Sequence, residues 1–304
     1  EMKRVFVSTV PFGAVDQKPL ELLKTAGHEL VINPLGKKLT SDDLAGMIAG
    51  FDALIAGTEQ ITEAVLDKAL SLQIISRVGV GLDGLDLPEV RRRGIRLAYT
   101  PEAPVKAVAE LPIGLMLGLL RHIPAVNQDL HSGHWERRFG RRIGEAKVGI
   151  VGYGRIGKAT HQLLTGFQPK EVMICDLETV APEELVENVR QVAFEELLVE
   201  SDIITLHVPL TAKTSSMLGL GELKAMKEDA IIINTARGGI IDEDALYEAL
   251  SNNLIAGAAI DVFRNEPYFG KLSEVPNCLL SAHMGSMSVD CRSRMEIEAT
   301  EDVI

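Results

Sequence analysis

One glycine-rich turn constrains the fold of this chain more than any other segment. An apolar run at 147–151 leads into Gly152-Tyr153-Gly154-Arg155-Ile156-Gly157, and a helical pattern follows directly. The first glycine permits a tight turn, the second lets a bound group approach the backbone, and the third allows a helix to pack closely on a strand. This order predicts a phosphate-binding site at a helix N-terminus, where free N–H groups face outward.

Short apolar runs alternate with helical patterns along all 304 residues. We predict strands in the first part at 4–8, 29–32, 53–56, 73–76 and 95–98. Those of the second part are predicted at 147–151, 171–175, 203–207, 230–234, 257–260 and 278–281. Apolar strands that alternate with helices indicate parallel sheets covered on both faces. The sequence therefore predicts an α/β protein with two doubly wound parallel-sheet domains, and this length suits two cores.

Two prolines mark the predicted boundary between these domains. Pro101 and Pro104 interrupt the chain, and a long helical pattern follows from Val105 to Leu120. We predict a flavodoxin-like substrate domain at 1–99, completed by a helical C-terminal segment at 287–304. A Rossmann dinucleotide domain is predicted at 100–286, with the active site in the cleft between the two domains.

Net charge and cysteine content indicate which kinds of binding partner and which compartment the protein has. The net charge is −12, which repels a nucleic-acid backbone, and the basic stretch at 137–142 is too short to reverse this. The three cysteines have no metal-ligand spacing and favour thiols in a reducing cytoplasm. The apolar run at 111–120 is about half a membrane span. We therefore predict a cytoplasmic protein without a metal and without nucleic-acid or membrane partners.

Asp176 suggests which dinucleotide would bind at the glycine turn. It ends the next strand, nineteen residues beyond Gly157, where a carboxylate can accept hydrogen bonds from the adenosine ribose. The same carboxylate would repel a 2′-phosphate, which favours NAD over NADP. A glycine turn alone is weak evidence, but the ordered strand, turn, helix and carboxylate predict NAD binding at Gly152, Gly154 and Gly157.

Three polar residues lie close after later predicted strands. Arg237 follows 230–234, Glu266 precedes Pro267, and His283 follows 278–281. Ligands of open α/β sheets bind at the carboxyl ends of the strands. A guanidinium can bind a carboxylate through two hydrogen bonds, and an imidazole supported by a carboxylate can exchange a proton with an alkoxide. Each residue alone is most often structural, and only the joint pattern predicts hydride transfer to a 2-keto acid.

These motifs resemble the D-isomer-specific 2-hydroxyacid dehydrogenase family. The longest matching segment is 234–246, and the others are 77–83, 108–111, 206–211, 261–267 and 283–286. The resemblance implies that Arg237, Glu266 and His283 are the catalytic set. It implies that the backbone of Val78 and Gly79 binds the substrate carboxylate together with Arg237.

The same resemblance implies a wider cofactor site and an assembly. Asp261 would face the nicotinamide carboxamide. The other implied cofactor contacts, beyond the three glycines and Asp176, are Arg155, Ile156, His207, Pro209, Thr214, Thr235, Ala236 and Gly285. A homodimer through the dinucleotide domain is also implied, with the segment around Trp135 at its interface.

The substrate stays open among related 2-keto acids. Residues 283–286 resemble the phosphoglycerate and glycerate dehydrogenase branches, which slightly favours 3-phosphoglycerate and 3-phosphohydroxypyruvate. Glu59 would oppose a phosphate if it pointed inward, so Arg77 or an arginine of 137–142 in a second subunit would have to supply positive charge. Reduction of hydroxypyruvate or glyoxylate is the next interpretation. A protein of another class, an NAD-sensing corepressor-like binding protein on the same fold, also stays open because a fold does not fix a function.

Overall fold

The computed structural model describes residues 2–304, which form twelve β-strands and eleven α-helices. The strands are β1 Arg4–Val7, β2 Glu29–Ile32, β3 Ala53–Ala56, β4 Ile74–Arg77, β5 Arg96–Tyr99, β6 Lys147–Val151, β7 Glu171–Cys175, β8 Val189–Gln191, β9 Ile203–Leu206, β10 Ile231–Asn234, β11 Gly257–Ile260 and β12 Cys278–Leu280. The helices are α1 Lys18–Thr25, α2 Ser41–Met47, α3 Glu63–Leu66, α4 Leu87–Arg92, α5 Val105–Leu120, α6 Ile123–His131, α7 Arg155–Thr165, α8 Phe194–Glu200, α9 Leu220–Ala225, α10 Glu243–Ser251 and α11 Val289–Glu301.

The chain divides into two compact units, one of residues up to 104 with 286–304 and the other of 105–285. The first unit, called unit 1 below, contains β1–β5 and α11, and the second, unit 2, contains β6–β12. The division lies at 104/105 rather than at the predicted 99/100, because the long helix α5 belongs to unit 2 from its first residue. At the C-terminal end it lies at 285/286 rather than at 286/287.

Unit 1 is built on a five-stranded parallel sheet in the order β2-β1-β3-β4-β5, the flavodoxin-like strand order. The central strands β3 and β4 are buried along their whole length, as expected for strands covered on both faces. Helix α11 packs on α1, so the C-terminal segment completes this unit. Arg292 of α11 joins this helix to the segment after β1, because its guanidinium donates to Thr9 Oγ1 (3.1 Å), and it also donates to Glu296 one turn along α11 (3.1 Å).

Unit 2 contains a seven-stranded parallel sheet in the order β12-β11-β10-β9-β6-β7-β8. Successive residues of a strand face opposite sides of the sheet, and each side has its own apolar core. Ile232 of β10 packs in one cluster, while its neighbours Ile231 and Ile233 pack in the other. The strand order reverses between β6 and β9, which is the position where doubly wound sheets bind ligands.

Eleven strands were predicted from the sequence, and each is confirmed to within one residue at either end. Strand β8 was missed. It is a three-residue edge strand in which only Val189 is buried, and Arg190 and Gln191 break any apolar pattern. A strand with a single buried residue has no period that a sequence reading can detect.

Helix α5 was predicted at its observed bounds and is followed by α6 after a sharp break. His122 adopts a left-handed conformation (φ 54°), and Pro124 lies in the first turn of α6. Taken one at a time, no helix of residues 2–304 is long and apolar enough to cross a membrane. Among these residues, only the pair α5 and α6, which is bent by 61° at its break, has the length and apolar composition of a membrane-spanning segment.

Candidate active site

The carboxyl ends of the unit 2 strands meet at one edge of the sheet because all seven strands run in parallel. Adjacent strands lie about 4.8 Å apart, so residues that follow neighbouring strands form a row. The residues that follow the strands in spatial order are Asp176 after β7, the glycine turn after β6, His207 after β9, Arg237 after β10, Asp261 after β11 and His283 after β12. The predicted cofactor and catalytic residues of unit 2 therefore lie in loops at this edge or in the first turn of α7.

The glycine turn combines close packing with one open position. Gly152 has φ +92°, and a Cβ there would overlap the carbonyl of His207. A Cβ at Gly157 would overlap the carbonyl oxygen of Gly152, so the first turn of α7 lies directly on the glycine turn. At Gly154, by contrast, a Cβ would meet no atom within 4 Å. The open space in front of the α7 N-terminus is where a pyrophosphate fits.

Asp176 is held beside this turn by two backbone groups. Its Oδ2 accepts a hydrogen bond from Tyr153 N (2.5 Å), and its Oδ1 accepts one from Glu178 N (2.9 Å). A carboxylate has about four acceptor positions, so Asp176 keeps positions for ribose hydroxyls after these two bonds.

The loop after β10 is shaped by a residue that the sequence analysis did not single out. Asn234 is buried, and its side chain accepts from Ala236 N (3.0 Å) and donates to Arg237 O (3.0 Å). Arg237 Nη1 also donates to Ala236 O (2.6 Å), so the arginine lies in a turn that is stabilised by three local hydrogen bonds. Thr235 Oγ1 is buried and has no hydrogen-bond partner among residues 2–304.

The imidazole of His283 is oriented by Glu266. Nδ1 of His283 lies 2.8 Å from Glu266 Oε2, while Oε1 of the same carboxylate accepts from Phe263 N (3.0 Å). An ionised carboxylate only accepts, so Nδ1 carries the hydrogen and Nε2 is the acceptor in the neutral ring. His283 has φ 50°, and its N–H donates to Asp261 O (2.7 Å). The ring is therefore fixed through both the side chain and the backbone.

Asp261 has a structural role that the sequence analysis missed. Its side chain is 0% exposed, and Oδ1 accepts from Ser281 Oγ (2.6 Å) and Met284 N (3.0 Å). Oδ2 accepts from Gly285 N (3.1 Å). This carboxylate therefore fixes the loop that carries His283. One acceptor position of Oδ2 remains, so the contact with a nicotinamide carboxamide stays a prediction.

The loop after β9 is closed by local hydrogen bonds. His207 Nε2 lies 2.9 Å from Thr205 Oγ1, and burial lowers the pKa of His207 to about 4, which keeps the ring neutral near pH 7. Thr214 Oγ1 accepts from Thr211 N (2.8 Å) and donates to Pro209 O (2.5 Å). These bonds fix the shape of 207–214 at the centre of the row.

Unit 1 already engages the N–H groups of Val78 and Gly79, which the sequence analysis predicted to bind the substrate carboxylate. Val78 N already donates to Ala56 O (2.9 Å), and Gly79 N donates to Thr100 Oγ1 (2.8 Å), with both residues buried. Their N–H groups are not available to a substrate. The next two residues, Val80 and Gly81, are only half-buried, and no acceptor for their N–H groups lies in the described part of the chain.

Arg77 and Glu59 are both turned into unit 1. Arg77 is 7% exposed and donates to Val78 O. Its guanidinium lies next to Gly79, where a Cβ would overlap it. Glu59 is 2% exposed and accepts hydrogen bonds from Gly57 N (2.9 Å) and from Ser8 Oγ. Neither charge is displayed on the surface of the unit.

Metal ligands and cysteines add no further site. Within 2–304, no three side chains of His, Cys, Asp or Glu are grouped so that they could share a metal ion. Cys175, Cys278 and Cys291 are free thiols, and burial raises the pKa of Cys278 to about 12. A thiol with so high a pKa is a poor nucleophile.

Comparison with known proteins assigns the chain to a class. The family model "D-isomer specific 2-hydroxyacid dehydrogenase, NAD binding domain" matches residues 113–285. A glyoxylate reductase of Thermofilum pendens is 34% identical over 99% of this chain and 90% of its own length. A D-3-phosphoglycerate dehydrogenase of Methanocaldococcus jannaschii is 37% identical over 84% of this chain and 49% of its own length. The crystal structure of the TT0316 protein from Thermus thermophilus superposes with a TM-score of 0.89 at 33% identity, covering 98% of this chain and 94% of that one.

The chain therefore belongs to the D-isomer specific 2-hydroxyacid dehydrogenase family, and it is an NAD-dependent D-2-hydroxyacid dehydrogenase. The resemblance and the α/β fold with two parallel-sheet domains are confirmed. NAD is confirmed as the cofactor, and two features of the structure fit it: the open space at Gly154 and the orphaned Thr235 hydroxyl. The comparisons give no support to the corepressor-like alternative.

Proposed function

We propose that this enzyme uses NADH to reduce a short, unphosphorylated 2-keto acid, of which hydroxypyruvate and glyoxylate are the best candidates. The observation that carries this proposal is the state of Arg77. It is the cation nearest to the substrate-binding turn in sequence, and it is buried and bonded to Val78 O. A phosphate at the third carbon of the substrate needs positive charge that is open to the ligand.

The residues of unit 2 have complementary roles in this reaction. Bound NADH supplies the hydride that reduces the keto carbon. Arg237 binds the substrate carboxylate and polarises the keto oxygen through charge-assisted hydrogen bonds. His283, protonated before reduction, gives its Nε2 proton to the forming alkoxide, and Glu266 at 2.8 Å from Nδ1 stabilises the imidazolium. In the reverse direction His283 takes the proton back.

Unit 1 by itself offers hydrogen-bond donors for a carboxylate. We assign these to the N–H groups of Val80 and Gly81 in place of Val78 and Gly79, which are engaged in the unit itself. Backbone donors of this kind bind the group common to all 2-keto acids. They therefore contribute to affinity and not to selection among substrates.

The cofactor site is assigned along the row of strand ends. Arg155 and Ile156 present the α7 N-terminus to the pyrophosphate, together with Gly152, Gly154 and Gly157. Asp176 binds the adenosine ribose. The remaining proposed contacts, nearer the nicotinamide half, are His207, Pro209, Thr214, Thr235, Ala236, Asp261 and Gly285.

A phosphorylated substrate, 3-phosphohydroxypyruvate, is the second candidate. The name of the Methanocaldococcus relative favours it, and so does the segment at 283–286. Three arginines of the basic loop, Arg138, Arg141 and Arg142, pair with acidic groups of their own unit at 2.7, 3.1 and 3.2 Å. In a second subunit, Arg137 is therefore the arginine of this loop that remains as a source of charge. The name of the Thermofilum relative, a glyoxylate reductase, favours the unphosphorylated class.

Steady-state kinetics with NADH tests this choice. We expect kcat/KM for 3-phosphohydroxypyruvate to be equal to or lower than that for hydroxypyruvate. Arg77→Ala should not change the ratio of the two values, and Arg92→Ala, which removes an exposed arginine of α4, is the matched control. A ratio well above one that falls in Arg77→Ala and not in Arg92→Ala would overturn the proposal.

We also infer that the enzyme is a homodimer held by unit 2. Helix α6 buries none of its nine residues, and the following loop exposes Trp135 (82%) and Phe139 fully. Ile123 and Leu130 of α6 are also more than 40% exposed. Several large exposed apolar side chains in one short segment of a chain are typical of a subunit interface.

A further inference from the structure

Tyr153 lies between the first two glycines of the glycine turn, and its buried side chain contacts α7. It is 8% exposed, and its hydroxyl lies 2.7 Å from Nδ1 of His161, two turns along α7. His161 is itself buried, and the two rings are tilted by 50° with centroids 5.8 Å apart. The side chain of Tyr153 therefore ties the glycine turn to the middle of the helix that follows it.

Two charged residues extend this contact. Lys158 Nζ lies 2.7 Å from Glu184 Oε1 and 5.3 Å from the centre of the Tyr153 ring. Burial and, to a smaller extent, the negative charge of Glu184 raise the pKa of Tyr153 to about 12. Glu184 belongs to a short 3₁₀ helix at 182–184, in the segment that begins with Asp176. The phenol thus connects the turn with the segment after β7.

The backbone of Tyr153 makes a third connection, because its N–H donates to Asp176 Oδ2 at 2.5 Å. Three parts of the proposed cofactor site are joined at one residue: the turn for the pyrophosphate, the middle of α7, and the segment of the ribose carboxylate. A site that is already ordered before binding loses less entropy when the ligand binds.

We propose that Tyr153 is a positioning residue for the adenosine and pyrophosphate half of the dinucleotide, acting with His161, Glu184 and Lys158. It holds the glycine turn and the Asp176 carboxylate in the arrangement that binds both groups at once. It contacts neither the hydride nor the 2-keto acid. Its loss should therefore weaken cofactor binding to the same extent in the ground state and in the transition state.

Binding of ADP-ribose, measured by calorimetry, tests this proposal without any turnover. ADP-ribose contains the adenosine ribose and the pyrophosphate and lacks the nicotinamide. In Tyr153→Phe we expect Kd to rise about 5- to 20-fold, the effect of about one lost hydrogen bond to a polar network. KM for NADH should rise by a similar factor, while kcat at saturating NADH stays within about twofold of wild type.

Tyr247→Phe is the matched control, since Lys271 Nζ lies 5.7 Å from the centre of that ring on α10. It should leave the Kd of ADP-ribose unchanged. Glu184→Ala, in a partly exposed segment, gives a second route if Tyr153→Phe does not fold, and it should weaken ADP-ribose while Glu184→Gln restores much of the affinity. An unchanged Kd in both Tyr153→Phe and Glu184→Ala overturns the role of Tyr153. Failure of the wild-type protein to bind ADP-ribose would instead contradict the cofactor site itself.

Discussion

At the scale of single residues, two carboxylates share the task of placing His283. Glu266 orients the ring through Nδ1, while Asp261 fixes the loop through Ser281, Met284 and Gly285. A general acid must keep its donor atom aimed at the reacting oxygen to be effective. Glu266 therefore orients and stabilises the imidazole through its charge, whereas Asp261 fixes the backbone that carries it.

Replacement of His283 separates chemistry from binding. His283→Ala should lower kcat for 2-keto acid reduction roughly 10²–10⁴-fold, the usual contribution of a general acid, with little change in the Kd of NADH. Glu266→Gln should be milder, because the amide can still contact Nδ1 of His283 but supports the imidazolium less than a carboxylate does. Near-normal turnover of His283→Ala would remove it from the catalytic set.

His207 should make the stability of the enzyme depend on pH. Its pKa is about 4 in the folded chain, below the ordinary value of 6.5, so the unfolded chain binds more protons below pH 6.5. Stability should therefore fall as pH drops from 6.5 towards 4, by up to about 2 kcal/mol between pH 6.5 and pH 5. Urea unfolding at both pH values, without cofactor, measures this loss.

The controls for this prediction are two other substitutions. In His207→Gln the loss between pH 6.5 and pH 5 should shrink, whereas His134→Gln, at an exposed position, should behave like wild type. An equal loss in His207→Gln and wild type would show that other groups, such as the buried His161, dominate the acid response.

At the scale of elements, the second and third glycines of the glycine turn are required for different reasons. A Cβ at Gly157 would overlap the Gly152 carbonyl, whereas a Cβ at Gly154 enters open space. Gly157→Ala should therefore lower the thermal midpoint and weaken NADH together. Gly154→Ala should keep the thermal midpoint within about 2 °C and still weaken NADH, because the methyl group occupies the place of the pyrophosphate. Thermal unfolding and NADH fluorescence titration of both variants check this, and equal thermal midpoints would contradict it.

The elements also show how far the sequence can be read. Buried strands such as β3 and β10 carry continuous apolar runs and were located to within one residue, while the polar edge strand β8 was not. The loops that carry Arg237 and His283 were located from motifs, but their supports were missed. Asp261 meets Ser281 across twenty residues, and no local pattern marks such a pair.

The predicted substrate-binding turn shows a second limit of sequence-based prediction. Val78-Gly79-Val80-Gly81 contains the same dipeptide twice, and the sequence gives no ground for choosing between the copies. Their hydrogen bonds differ: the first pair completes the ladder beside β4 and the contact with Thr100, while the second pair begins a half-exposed loop. Only the strand pairing of the folded unit shows which N–H groups remain for a ligand.

At the scale of the whole molecule, the apolar surface of α6 and its following loop is the feature that a single chain leaves unexplained. Residues 134–140 form no helix or strand and are exposed throughout, so no packing within unit 2 covers the side chains of Trp135 and Phe139. Side chains of this size are stabilised by about 1.5–3 kcal/mol each when they are buried. A second copy that covers them would gain this energy at both halves of a symmetric interface.

Light scattering coupled to size exclusion tests the assembly directly. Wild type should have the mass of a dimer at micromolar concentration, and the double variant Trp135→Ser, Phe139→Ser should shift towards the monomer, because the interface loses its two largest exposed aromatic side chains. Leu70→Ser, which removes an 87% exposed apolar side chain of unit 1, is the matched control and should stay dimeric. A double variant that remains fully dimeric would place the interface elsewhere. The monomeric variant should also retain its kcat, since the proposed catalytic residues lie in the loops after β10, β11 and β12 and not on α6.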